Sequence, residues 1–226
     1  MRPILFTTML VLGSVPSVLG QPASRFEIAP VARLDTVFLE GGAGGRVPVA
    51  GVVATFMFSK TYGVEGEVTQ ASGRIERSYE GWFISYVQAP NPTWEEIERM
   101  APTARRTLGY APGTGVSAAF VVRGQITPRI GLAARAGISA RRYTQTSDYT
   151  VLSIPEGVDP TRVAGDFRDD SYSRTRSGLL FGLDVPVAVT SHLSVTPELR
   201  FVYGGPARIG NSYRELGLGV RCTWRF

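Results

Sequence analysis

The chain has a single cysteine, Cys222, and a single histidine, His192, among its 226 residues. One cysteine cannot close an internal disulfide, and a lone cysteine and a distant histidine offer no metal-ligand set. Arginine and lysine never gather into a block of the kind that tracks a phosphate backbone, so nucleic acid is not an expected partner. Beyond residue 20 there is no apolar run of about 18 residues, the length a helix needs to span a bilayer. No cofactor is expected from this inventory.

The one sustained apolar run lies at the front. Arg2 precedes Ile4-Leu5-Phe6-Thr7-Thr8-Met9-Leu10-Val11-Leu12, followed by Pro16 and the small-residue end Val18-Leu19-Gly20. A charged head, an apolar middle and a small residue at the cut are the layout of a secretory signal peptide, here 1–20. No cysteine follows Gly20, so a lipid anchor is not expected, and the mature domain is read as 21–226. Removing Arg2 lowers the net charge from +5 to +4, spread along the chain. A mature length near 206 residues suits one domain.

What the chain has in quantity is alternation. From Tyr213 the even positions read Arg214, Leu216, Leu218, Val220, Cys222, Trp224, Phe226, and the odd positions Tyr213, Glu215, Gly217, Gly219, Arg221, Thr223, Arg225. Strand side chains alternate between faces, so this strand has one apolar face and one polar or very small one. The same dyad recurs over 193–203, 179–189, 130–140 and 116–126, and more weakly over about 25–38, 46–59 and 63–76. That makes eight strands. Pro30, Pro48, Pro186 and Pro197 fall in or beside them, and each removes a ladder donor.

The connections alternate in length. Ser59–Tyr62, Thr127–Arg129 and Thr190–His192 are tight turns, whereas 78–114 and 147–170 are long, and 40–45 and 204–212 are short and glycine-rich. Short turns on one rim and longer loops on the other are the pattern of a bacterial outer-membrane barrel, with both termini on the periplasmic rim. Energetics select the facing. An Arg at the bilayer midplane costs roughly 2–4 kcal/mol, so several charges turned to lipid would exceed a folding free energy of about 5–15 kcal/mol. The apolar rows therefore face out. The inward set is then Glu27, Arg33, Glu65, Glu67, Arg123, Arg135, Arg141, Arg176, Asp184, Glu198, Arg200, Glu215, Arg221 and Arg225. Buried charges must pair, and a ladder of Glu65, Glu67, Arg123, Arg135, Arg141, Asp184, Glu198, Arg200, Glu215 and Arg221 is expected. Eight strands leave an interior just wide enough for side chains. The crowding also explains glycine within the alternating segments. Because arginine outnumbers acid in the inward set, any narrow pore would lean toward anions.

These strands, the penultimate Thr196-Pro197-Glu198-Leu199-Arg200-Phe201-Val202-Tyr203 and the closing Trp224-Arg225-Phe226 resemble small outer-membrane β-barrels of the OmpA/OmpX type. The likeness is one of architecture and terminal pattern over nearly all the mature chain. It implies an all-β, eight-stranded antiparallel up-and-down transmembrane barrel, with ten strands as the alternative if 78–114 holds a further hairpin. It implies a monomer in the cell outer membrane, among outer-membrane lipid and lipopolysaccharide. It also implies that the barrel-assembly machinery reads Leu218, Val220, Cys222, Trp224 and Phe226. A peptidoglycan-binding domain is not expected beyond the barrel.

Candidate sites are few. His192, Ser194 and Glu198 superficially resemble the triad of lipid A-modifying barrel enzymes, but His192 falls in a periplasmic turn. Glu198 lies about 13 Å along the strand from Ser194, too far to orient His192. Asp166, Asp169 and Asp170 could meet a hard cation, though a solvated acidic loop is the plainer reading. The 78–114 segment carries Trp82, Phe83, Tyr86 and Trp94, candidate contacts for an extracellular ligand, though the plainer reading is that Trp82, Ile84 and Tyr86 extend strand three or four past the membrane. Within it Thr93–Met100 reads as a short helix, with Thr93 as cap and Glu96 completing a capping box. The expected role is structural or surface-interacting and not enzymatic. The alternatives are a narrow porin-like channel, a lipid A-modifying enzyme and a soluble lipocalin-like barrel.

Overall fold

The computed structural model describes residues 26–39, 44–82, 91–204 and 213–226, so the leader reading of 1–20 lies outside it. The strands are β1 Phe26–Phe38, β2 Gly44–Met57, β3 Tyr62–Ala71, β4 Ile75–Trp82, β5 Thr103–Gln125, β6 Gly131–Ser153, β7 Asp170–Asp184, β8 Val187–Ala188, β9 Leu193–Gly204 and β10 Tyr213–Arg225. Two short helices interrupt them, α1 Trp94–Met100 and α2 Pro160–Asp166.

All pairings are antiparallel, and β1 bonds both β2 and β10, so the sheet closes on itself. Eight staves form the ring, because β4 continues β3 along β5, and β8 continues β7 along β9. The ten labelled strands are thus not the ten-stranded alternative: two staves are broken, and no hairpin is added among the described residues. Glycine explains the first break. Gly73 takes φ +102° between β3 and β4, a conformation L side chains rarely adopt. Pro186 explains the second, since it separates β7 from β8 and offers only its carbonyl, to the Gly131 N–H at 2.8 Å. Pro30, Pro48 and Pro197 stay inside strands. The β1–β10 ladder passes over Ala29 and Pro30, resuming at Val31 with Arg221.

Facing follows the dyads. Val64, Val68, Phe120, Ile138, Leu179, Leu199 and Leu218 are exposed, while Glu65, Glu67, Arg135, Leu180, Glu198 and Glu215 are buried. The exposed row of β10 from Leu216 to Phe226 covers about 25 Å of height for a strand tilted about 40°, the height of a lipid-facing band. Aromatic rings gather on the turn rim: Phe26 lies 6.4 Å from Phe226, and Phe120 lies 6.0 Å from Phe58 and 5.9 Å from Tyr62.

The long connections are shorter than 78–114 and 147–170. Within 78–114, β4 runs on to Trp82, the strand extension expected there, and β5 starts at Thr103, with α1 between them; Ile84 and Tyr86 lie outside the described residues. Within 147–170, β6 continues to Ser153 and β7 starts at Asp170, with α2 between. The strands near 116–126, 130–140 and 179–189 are correspondingly longer at their loop ends. The reason is physical. Between Pro112 and Gly115 the β5–β6 register shifts by a β-bulge, one extra residue on β5. Below it the odd positions Ala119 and Val121 are buried; above it the even positions Tyr110 and Ala104 are. The period is therefore broken mid-strand, and above the bulge both faces are largely polar. The helix is where capping chemistry put it: Thr93 accepts from the Glu96 N–H, and Glu96 accepts from the Thr93 N–H.

The stave break at Gly73 is testable. Gly73→Val should lower the urea stability of the protein in lipid vesicles by about 1–3 kcal/mol through forced positive φ. Gly66→Ala adds a methyl into open space and should leave the unfolding midpoint unchanged.

Candidate functional site

Three layers fill the barrel from the turn rim to the loop rim. At the turn rim Glu27 accepts two bonds from Arg123, at 2.7 and 2.9 Å, and one from Arg225 at 3.2 Å. A cavity of about 20 Å³ lies just inside, bordered by Glu27, Glu65, Arg123, Asp184, Ser194 and Arg221. That is room for about one water molecule.

The middle layer is one connected ion network. Arg33 meets Asp35 at 2.7 Å, Glu67 at 3.0 Å and Glu198 at 3.0 Å. Arg135 meets Glu65 at 2.8 Å, Asp184 at 2.8 Å and Glu198 at 3.1 Å. Arg221 joins Glu65, Asp184 and Glu198, Arg141 joins Asp35 and Glu215, and Arg200 joins Glu67. These side chains are no more than 6% exposed. The layer draws on β1, β3, β6, β7, β9 and β10, so it ties together staves that are not neighbours. Thr55 on β2 adds a hydroxyl bond to Glu65, and Ser139 accepts from Arg200 at 2.6 Å.

Glycine makes the space. A Cβ at Gly182 would stand 2.7 Å from Arg135 Nε, and one at Gly217 would stand 2.7 Å from Arg33 Cδ. Inward glycines are thus where the long guanidinium stems lie flat against the wall.

The network differs in balance from the inward set as a whole. Its members are five arginines and six carboxylates, so acid outnumbers arginine in this layer, whereas the full inward set, with Asp35 added, keeps eight arginines against seven acids. Of the expected ladder, Arg123 stands apart with Glu27 at the turn rim. Asp35, absent from the expected ladder, is fully buried within it.

Above the ions sits an apolar and tyrosine layer that the charge pattern did not announce. Val37, Leu39, Val47, Ile75, Tyr110, Leu180 and Val202 pack there with Tyr143 and Tyr213. The two tyrosine hydroxyls bond at 3.0 Å, and Tyr213 in turn donates to Glu215 below. The cues in the sequence were valine at inward positions of the strands near 25–38 and 46–59 and Tyr213 at the head of the inward row of the last strand.

Beyond this lid the described residues are lopsided. Among them β1, β2, β9 and β10 reach Phe38, Gly44, Gly204 and Tyr213, whereas β4, β5, β6 and the start of β7 run on as a one-sided wall; the glycine-rich connections read at 40–45 and 204–212 lie largely outside the described residues. Trp82 and Trp94 lie here, 45% and 67% exposed, with ring centroids 5.9 Å apart. Phe83 and Tyr86 lie outside the described residues. Asp169 accepts the Tyr149 N–H at 2.9 Å, which gives that acid a structural task. His192 is an exposed turn residue whose Nδ1 faces the Arg225 carbonyl at 3.3 Å. Ser194 points inward and is buried, and Glu198 is held by Arg33, Arg135 and Arg221, so the three do not converge.

The closed eight-stave ring is similar to solved structures. Neisserial surface protein A superposes with a TM-score of 0.51 at 16% identity, covering 91% of this chain and 100% of that one. The fold is that of a small bacterial outer-membrane β-barrel. Ail, the attachment invasion locus protein of Yersinia pestis, gives a TM-score of 0.46 at 12% identity, covering 89% and 97%. OprG from Pseudomonas aeruginosa gives 0.46 at 11%, covering 92% and 98%. No family model matches the chain, and no curated protein does.

The network makes an asymmetric prediction. Arg135→Met strips three buried carboxylates of a partner at once and should cost about 3–5 kcal/mol of stability in lipid vesicles. Arg105→Met removes an ion pair to Glu80 whose side chains are 49% and 54% exposed, and should cost under about 1 kcal/mol.

Proposed function

We propose that this chain is an integral, monomeric outer-membrane protein whose sealed barrel is a rigid mount for a surface-interaction wall. The observation that carries the reading is the pairing of an apolar exterior with an interior filled from rim to rim. A soluble lipocalin-like barrel would not offer Val64, Val68, Ile138, Leu179 and Leu218 to water at 48–64% exposure. A channel needs a continuous polar path, and here the tyrosine and valine layer lies across it. A chemical role finds no support in the separate settings of His192, Ser194 and Glu198. What remains is the one-sided wall, with Trp82 and Trp94 on it, raised on a scaffold that cannot deform easily.

In this reading lipid and the surrounding lipopolysaccharide contact the outward rows, and the wall faces the cell exterior because the tight turns belong to the periplasmic rim. The outward row of β10, Leu218, Val220, Cys222, Trp224 and Phe226, is what the barrel-assembly machinery would read. The signal peptide at 1–20 would deliver the chain across the inner membrane.

Outer-membrane fractionation with heat-modifiable gel mobility tests the core of this reading, and a soluble, non-modifiable band would end it. In planar bilayers the protein should show no unitary current steps. Regular steps whose ion selectivity changed with Arg200→Met would show a conducting interior instead. Phe226→Ala should reduce the amount of folded barrel in the membrane severalfold without changing total synthesis.

A further inference from the structure

The two faces of the wall are charged differently. On its outer face each arginine of β4 and β5, and of the turn before them, has a carboxylate: Arg74 meets Glu76 at 2.8 Å and Asp148 at 2.9 Å, and Arg105 meets Glu80 at 2.6 Å. The inner face, which looks over the barrel mouth, is not balanced. Period two places Arg77 and Tyr79 of β4 with the buried Ile75, Arg106 of β5 with the buried Tyr110, and Tyr149 of β6 with the buried Tyr143. Tyr172 and Arg174 of β7 pair with Gln145 and Tyr143 on that same face. Arg77, Arg106 and Arg174 form no ion pair with any described carboxylate. Among the described strand residues of this face the one acid is Asp170, in register with Ser147 at the far edge.

Arg106 is held ready without being neutralised. Its Nε donates to Ser147 Oγ at 2.8 Å, one terminal nitrogen donates to the Tyr79 hydroxyl at 2.9 Å, and its carbon lies 5.3 Å from the Tyr149 ring centroid. Arg174 sits 5.4 Å from the Tyr172 centroid, and Tyr79 and Tyr172 are 44% and 38% exposed. A guanidinium fixed by hydroxyls and a ring keeps its charge and its donor fork for an outside anion. Arg77 and Arg106 occupy diagonal positions, roughly 7–8 Å apart at Cα. Arg174 lies about 20 Å further along the slant of the sheet, from the spacings of residues and strands. Cations at those intervals suit a repeating anion and not a single ion. Exposed tyrosine faces between them suit the C–H faces of sugar rings.

We infer that the inner face of the wall binds an extracellular anionic oligosaccharide, with Arg77, Arg106 and Arg174 holding its acidic groups and Tyr79 and Tyr172 stacking its rings. The source is outside the cell. Lipopolysaccharide of the same membrane packs around the barrel and meets the charge-balanced outer face, whereas the inner face opens over the barrel axis. The inference rests on the surface-interaction reading above, but it can fail while the sealed membrane barrel stands.

The test uses the full chain in nanodiscs, with short dextran sulfate as probe, neutral dextran and polyglutamate of matched charge as comparisons, and heat-modifiable mobility as the check on folding. Dextran sulfate should bind, more weakly as salt rises, and neutral dextran should not. The double variant Arg77→Gln/Arg106→Gln should weaken binding at least tenfold, Tyr172→Ala severalfold, and Arg105→Gln on the outer face less than twofold. Absence of dextran sulfate binding to a folded barrel overturns the inference. So does an equal loss with Arg105→Gln, which would indicate nonspecific attraction. Equal affinity for polyglutamate, or indifference to Tyr172→Ala, removes the saccharide. Arg77- and Arg106-dependent binding of lipopolysaccharide vesicles in place of dextran sulfate would move the ligand to the membrane and overturn it as well.

Discussion

A strand that turns an apolar row to lipid still carries a polar backbone, and inside a bilayer no water can satisfy it. Closure of β1 onto β10 removes that cost, since every stave then has two hydrogen-bonded neighbours. The rest of the molecule depends on this closure. Once eight staves form the ring, the inward rows are forced into a space with room for side chains and little else. The Phe226 N–H completes the seam by donating to the Phe26 carbonyl at 3.1 Å.

Enclosure then decides what the inward charges can do. A guanidinium taken out of water is costly unless its donors find carboxylates at good geometry, so the interior is organised around shared acids. Glu198 receives Arg33, Arg135 and Arg221, and those arginines reach on to Glu67, Glu65 and Asp184. A slip of one residue in any of these staves would turn its charges outward, so the network also holds the register. The tyrosine and valine layer above it lies over the ions on the loop side. The wall is therefore mounted on a foundation that is rigid for two separate reasons, backbone closure and buried ion pairing.

Legibility of the sequence followed the solvent. Where one face meets lipid and the other the interior, residues differ sharply between faces, and the rows of Leu179–Val189, Leu193–Tyr203 and Leu216–Phe226 could be read directly. Above the mouth both faces of the sheet are wet. Arg105 and Arg106 are then equally acceptable, and so are Thr146 and Ser147, so the dyad fades and 103–114 and 147–153 read as loop. The bulge between Pro112 and Gly115 removed what periodicity was left. The helix at Trp94–Met100 stayed legible because its signal, Thr93 with Glu96, is local and needs no partner strand. Among candidate contacts, Trp82 and Trp94 stood out by type, whereas the inner-face arginines did not, because nothing in the chain says which arginines lack an acid.

The sequence by itself determined that this protein is a barrel of eight staves with apolar rows outward and charged rows inward. Those properties depend on period two and on the cost of placing charge in hydrocarbon, and both act along a single strand. Only the tertiary structure decided which acid each arginine meets, that a tyrosine layer lies above the ions, and that one side of the barrel continues as a wall. Those outcomes depend on register between strands far apart in the chain. Arg33 and Glu198 lie 165 positions apart and touch only because the ring is closed.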